Sequence, residues 1–242
     1  MAALRPLIAG NWKMFGRRGD LAEIEKLAAD AGTASAEVLI CPPYSLIDAA
    51  IAVGAGAGVL IGAQDCSAIA ADAARTGEVS AAMLADIGAT HVIVGHSERR
   101  SQHGESDALV RRKAEAALSA GLVPIVCVGE TLAQRDAGKT EEVIAAQVRA
   151  SVPGEDRIII AYEPVWAIGG DRTPSMEEIA DVHGVVREAY GAPIRVLYGG
   201  SVGPKNAIGI FAVPGVDGAL VGRASLKAAD FGLIVRAYPA VT

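Results

Sequence analysis

The sequence predicts one closed (β/α)8 barrel over residues 1–242, an α/β fold in a single domain. Three observations carry this expectation. Short runs dense in Val, Ile and Leu recur eight times, each closing on glycine or a polar group. Amphipathic segments fall between them, so strand and helix alternate at a step near thirty residues, the rhythm of parallel crossover units. The chain has 242 residues, and a barrel of eight such units typically uses ~250. The rival open, doubly wound sheet lacks its fingerprint. "GAGAG" (54–58) precedes a strand instead of following one, and neither G-x-G-x-x-G nor G-x-x-x-x-G-K-[ST] occurs.

In chain order the expected strands are "PLIAGNWK" (6–13), "VLICPP" (38–43), "VLIGAQ" (59–64), "HVIVGH" (91–96), "VPIVCVGE" (123–130), "RIIIAYEP" (157–164), "RVLYGG" (195–200) and "GALVGR" (218–223). Each is too short for a helix and apolar on consecutive positions, which marks strands buried on both faces. Helices are expected over "DLAEIEKLAADA" (20–31), "ESDALVRRKAEAALSAG" (105–121), "TEEVIAAQVRASV" (140–152) and "SMEEIADVHGVVREAYG" (175–191), where apolar residues recur three and four apart. No low-complexity linker interrupts the series, which argues for one domain.

Half of the chain is apolar, enough for a large core without disulfide or metal staples. Lys and Arg number 22 against 28 Asp and Glu, a net charge of -6. That balance favours a soluble protein and argues against nucleic-acid or membrane-surface partners. Cys41, Cys66 and Cys127 form an odd set without a C-x-x-C pair, and read as free thiols in a reducing compartment. "MAALRPLIAG" has no signal-peptide pattern. The most apolar stretch (49–63) is glycine-broken and shorter than the ~20 residues of a membrane span. A cytoplasmic protein is expected.

In a barrel of this kind the functional groups gather at the C-terminal strand ends. Those ends carry Asn11 and Lys13, Gln64, His96, Glu130, Glu163, Gly199-Gly200-Ser201 and Gly222-Arg223. They supply an amine, an imidazole and carboxylates, with no hydroxyl–imidazole nucleophile motif and no metal-ligand spacing. Lys13 is either a solvated rim lysine, a cation over an anionic substrate, or a Schiff-base amine. Asn11 gains weight as a donor beside it. His96 ends the fourth strand where a helical turn begins, so its cation is disfavoured by the helix end. A neutral ring there suits carbonyl polarisation or proton shuttling, or is simply satisfied locally. Glu163 loses hydration at the mouth of a buried strand, and is a general base or half of a salt bridge. Behind it, "PVWAIGGDRTP" (164–174) reads as a lid bracketed by prolines with a glycine pair. "GGS" and "GR" after the seventh and eighth strands suit an anion site built from loop amides.

Together these pieces resemble the triosephosphate isomerases. The resemblance rests on "AGNWKM" (9–14), "TGEVS" (76–80), "VGHSERR" (94–100), "CVGETL" (127–132), "AYEPVWAIG" (161–169), "YGGSV" (198–202) and "LVGRASLK" (220–227), in family order across essentially the whole chain. It implies the fold known as the TIM barrel and interconversion of dihydroxyacetone phosphate and D-glyceraldehyde 3-phosphate, without metal or organic cofactor. A Glu base beside a neutral His is the family's own established assignment. The resemblance accordingly makes Glu163 the base on carbon, His96 the electrophile and proton shuttle, Lys13 the stabilising cation and Asn11 an orienting donor. Gly169, Ser201, Gly222 and Arg223 would bind phosphate, mainly through backbone N–H groups. Glu98 would support Lys13. It also implies a symmetric homodimer in which the loop 63–78 places Thr76 near the partner subunit's Asn11 and Lys13.

The sequence departs from the family pattern at three places. Gly170 and Asp171 stand where the lid often has Thr-Gly. Arg223 replaces a frequent glycine. Arg75 occupies a position often aromatic. Two rival readings are a Schiff-base aldolase acting through Lys13 and a phosphosugar-binding relative without turnover.

Overall fold

The computed structural model describes residues 5–168 and 172–239. Eight parallel strands close into a barrel in sequence order: β1 (Leu7–Asn11), β2 (Glu37–Cys41), β3 (Leu60–Ala63), β4 (His91–Val94), β5 (Val123–Val128), β6 (Ile159–Tyr162), β7 (Arg195–Tyr198) and β8 (Gly218–Val221). Eleven helices are described around it: α1 (Ala22–Glu25), α2 (Ala28–Thr33), α3 (Ile47–Ala57), α4 (Ala81–Asp86), α5 (Ser97–Gln102), α6 (Asp107–Ser119), α7 (Leu132–Asp136), α8 (Thr140–Ser151), α9 (Met176–Tyr190), α10 (Ala207–Phe211) and α11 (Ala228–Arg236). The expected closed (β/α)8 architecture is the observed one. No helix among the described residues is long and apolar enough to cross a membrane.

Strand alternation splits the apolar residues into two cores. Leu7, Ala9, Leu39, Cys41, Ile125, Cys127, Ile159, Ala161, Leu197 and Leu220 fill the barrel interior. Their neighbours, such as Ile8, Ile40, Val126, Ile160 and Val196, face the helices. Burying one Leu or Ile side chain in either layer stabilises the fold by about 1.5–3 kcal/mol. The same alternation aims the mouth. Continuing the inward series of β1 and β6 by one step brings Asn11 and Glu163 to the opening, at the C-terminal strand ends.

Helix ends follow local chemistry. Ser175 and Glu178 form a reciprocal capping box on α9, a device worth about 1 kcal/mol, and Gly191 closes that helix in the left-handed conformation. The segment 20–31 is not one helix as its periodicity predicts. Leu27 N–H bonds back only three residues, to Ile24. This tight turn divides α1 from α2 and lets both Ile24 and Leu27 face the core. Helix α3 overlaps the glycine-broken stretch 49–63, whose glycines hide it from the apolar periodicity. Its Gly54 packs where a Cβ would lie 2.7 Å from the Val59 carbonyl oxygen.

Candidate active site

The strand ends surround a cleft of about 600 Å³. Asn11, Lys13, His96, Glu98, Glu163, Ser201, Gly222 and Arg223 all border it. A smaller hollow of about 360 Å³ on the outside of the barrel, between Arg135, Arg172 and Asp181, holds no comparable set of groups.

Glu163 is almost wholly buried and bonded through both carboxylate oxygens. Its Oε2 accepts the Ser97 amide at 3.0 Å, and its Oε1 lies 2.9 Å from His96 Nε2. Burial pushes the carboxyl pKa up, but His96, the Ser97 amide and Lys13 outweigh it and hold it below the usual value. His96 is the N-cap of α5, and its Nδ1 accepts the Glu98 amide at 3.2 Å. Burial disfavours the imidazolium, whereas the Glu163 charge and hydrogen bond draw the His96 pKa upward. These influences oppose one another, and the Glu98 contact decides the tautomer we assign. An Nδ1 that accepts an amide proton carries none itself, so the ring is neutral and Nε2–H points at Glu163.

Lys13 has φ 54°, the one non-glycine residue with positive φ among those described. Three contacts hold it there. Its N–H donates to Asn11 Oδ1 at 2.9 Å, and its carbonyl accepts Gln64 Nε2 at 2.8 Å. Gln64 also bonds the Cys41 carbonyl at 2.9 Å, tying the turn to β2. The Lys13 ammonium pairs with Glu98 Oε1 at 2.6 Å. A left-handed non-glycine costs about 1–3 kcal/mol and persists only where its surroundings impose it.

On the far side, Gly199, Gly200, Ser201 and Gly222 line the cleft, with Arg223 exposed at its edge. Arg223 begins a 3-10 turn, Arg223–Leu226. Gly169 lies outside the described residues, as do Gly170 and Asp171. The lid stem is described: Val165–Ala167 forms a 3-10 turn, and Trp166 Nε1 donates to buried Glu130 at 2.8 Å. Arg135 and Arg172 each lie over the Trp166 ring, 4.5 and 5.0 Å from its centre. Thr76 is not in this cleft; it is exposed on the connection after β3.

A family profile for triosephosphate isomerase matches residues 6–238. The chain belongs to the triosephosphate isomerase family. It is 54% identical to the triosephosphate isomerase of Xanthobacter flavus, over 98% of each chain. It is 54% identical to that of Ruegeria pomeroyi, over 96% of this chain and 97% of the other. The crystal structure of triosephosphate isomerase from Bartonella henselae superposes with a TM-score of 0.89 at 44% identity, covering 97% of this chain and 99% of that one.

Several contributors to this triosephosphate isomerase-family site escaped the sequence reading. Ser97 acts through a backbone amide, which no side-chain pattern announces. Gln64 and Glu130 stood at strand ends without a role; one braces Lys13 and the other docks Trp166. Asp230 borders the cleft from α11, a helix and not a strand end.

Proposed function

We propose that this chain interconverts dihydroxyacetone phosphate and D-glyceraldehyde 3-phosphate, with Glu163 as the base and His96 as the electrophile and proton carrier. The 2.9 Å contact between Glu163 Oε1 and His96 Nε2 carries the reading. A base on carbon and a donor on oxygen must flank one small molecule, and these two groups are near enough to do so.

A substrate entering the cleft takes the Nε2–H for its carbonyl oxygen. That frees Glu163 Oε1 to turn towards the C1–H bond, and removes a donor that weakens it as a base. The C1–H electron pair becomes the C1–C2 double bond, and the carbonyl oxygen takes the charge beside Nε2–H, Lys13 and Asn11. His96 moves the hydroxyl proton from O1 to O2. Glu163 then returns its proton to C2, leaving the aldehyde at C1. Positioned acid–base transfer of this kind contributes about 10²–10⁴-fold.

Ser201, Gly222 and Arg223 bind the phosphate, with Gly169 from the lid. The segment 164–174 covers the reaction and prevents phosphate elimination from the enediolate. The ion pair with Glu98 suits Lys13 as a cation rather than as a Schiff-base nucleophile.

The working unit is a homodimer. Met14, Phe15, Tyr44 and Met83 are large, exposed side chains on the segments that flank the loop 63–78, which supports an interface there. The three buried free thiols support a reducing, cytoplasmic location.

The decisive experiment follows the proton. In D2O, the parent should place deuterium on substrate carbon during turnover, and Glu163→Gln should lower both exchange and isomerisation by about 10³-fold. Parent-like exchange in that variant would remove Glu163 from the role.

A further inference from the structure

We infer that Gln147 is a positioning residue for this reaction. From the outer helix α8 it fixes the aim of the Glu163 carboxylate through Gly129. The inference rests on the reading of Glu163 as the base.

Gly129 is the first residue beyond β5. Val128 pairs with Tyr162 across the ladder, which brings Gly129 alongside Glu163. Ile125 and Cys127 point into the barrel, so position 129 also faces inward, at the mouth. A Cβ there would lie 1.8 Å from the Glu163 carbonyl oxygen and 3.4 Å from Val165 Cγ2. The backbone of Gly129 therefore abuts the backbone of the base itself. Gly199 stands on the other side, where a Cβ would lie 2.9 Å from Glu163 Cγ. Gly129 thus abuts the backbone of the base, while Gly199 leaves room beside its side chain.

Glu163 N–H bonds the Val128 carbonyl at 2.8 Å, and Val165 N–H bonds the Glu130 carbonyl at 3.2 Å. Between these two bonds, the Gly129 backbone bonds to a side chain. Its N–H donates to Gln147 Oε1 at 2.8 Å, and its carbonyl accepts Gln147 Nε2 at 3.0 Å. One planar amide holds both groups and fixes the tilt of this segment as well as its height. Few side chains can replace it. A glutamate accepts but does not donate, a lysine donates but does not accept, and an asparagine is one methylene short. Gln147 does not line the cleft, so its effect reaches the chemistry only through Gly129. The consequence is kinetic, because small misplacements of a reacting group cost about 10²-fold in rate.

The test uses Gln147→Leu and Gln147→Glu in the full-length protein, each also combined with Glu163→Gln, with inorganic phosphate as the inhibitor. Gln147→Leu should lower kcat about 10-fold or more while phosphate inhibition stays within about twofold of the parent. Gln147→Glu keeps the bond to Gly129 N–H and should lose less. On the Glu163→Gln background, Gln147→Leu should cost nothing further, because the aim of an absent base is immaterial. The inference is overturned by parent-like kcat in a folded Gln147→Leu protein, by an equal loss on both backgrounds, or by a loss appearing in phosphate affinity instead. If Gln147→Leu does not fold by circular dichroism, Gln147→Glu decides, and parent-like kcat there overturns it. Parent-like activity in Glu163→Gln alone would instead overturn the assignment of the base.

Discussion

Glu163 Oε1 and His96 Nε2 lie 2.9 Å apart at the mouth of the barrel, while Ser97 N–H holds the other carboxylate oxygen at 3.0 Å. Two donors on one carboxylate weaken it as a base. One of them, the Ser97 amide, can be removed without touching a side chain that faces substrate.

Ser97 is the first residue of α5, and His96 before it has extended backbone angles, φ −51° and ψ 144°. Proline is tolerated in such a position. Ser97→Pro therefore deletes the N–H and keeps the helix. Because that amide lowers the Glu163 pKa, its loss raises it. The acid limb of a kcat/KM–pH profile should move to higher pH. An unmoved limb in a folded variant would count against the contact.

Two other histidines set the acid stability. His91 and His183 are buried and their pKa values are pushed down to about 4 by burial, with Arg195 and Arg187 contributing in turn. His91 Nδ1 bonds Thr90 Oγ1 at 2.8 Å and His183 Nδ1 bonds the Gly215 carbonyl at 2.9 Å, while both Nε2 atoms lack partners among the described residues. Unfolded histidines titrate near 6.5, so the unfolded chain binds more protons between that pH and about 4. The contribution of these two rings should be flat above pH 6.5 and should lower stability below it, by at most about 3 kcal/mol per ring. Urea midpoints from neutral pH down to about 4 test this, and replacing His183 by Gln should flatten the slope.

Arg223 brings a guanidinium to the edge of a cleft whose rim also holds Glu98, Glu163 and Asp230. In a chain of net charge -6 this cation favours a dianionic substrate. Arg223→Gly keeps the backbone N–H. It should raise KM several-fold, leave kcat near parent, and flatten the dependence of kcat/KM on salt between about 20 and about 200 mM. Steady-state kinetics across that range decide it.

Beneath the loop 63–78, Lys113 bonds Asp65 at 2.7 Å and Glu105 at 2.6 Å, and Arg99 contacts both carboxylates. Lys113→Met would leave buried negative charge with one cation fewer. Denaturant unfolding should show a loss of about 3–5 kcal/mol.

Much of this molecule was legible in the residue order. Consecutive apolar positions in β4, β5 and β6 gave parallel strands, because only strands covered on both faces tolerate such runs. Asn11, Lys13, His96 and Glu163 were legible because each ionisable or amide group interrupts or follows a buried strand. Helix α3 was not, since its glycines lower helix propensity while Gly54 serves close packing on Ile61 of β3. The Ser97 and Gln147 contacts were hidden for another reason. Both involve backbone groups brought together across distant parts of the chain, and a linear pattern records no such meeting.

The turn at Lys13 carries one further implication. Only glycine adopts φ 54° without strain, yet a long cation sits there, braced by Asn11 and Gln64. A glycine in its place would leave a barrel at least as durable and remove the Lys13 ammonium from the cleft. On the role proposed for Lys13, endurance and turnover pull on the same peptide at this rim in opposite directions.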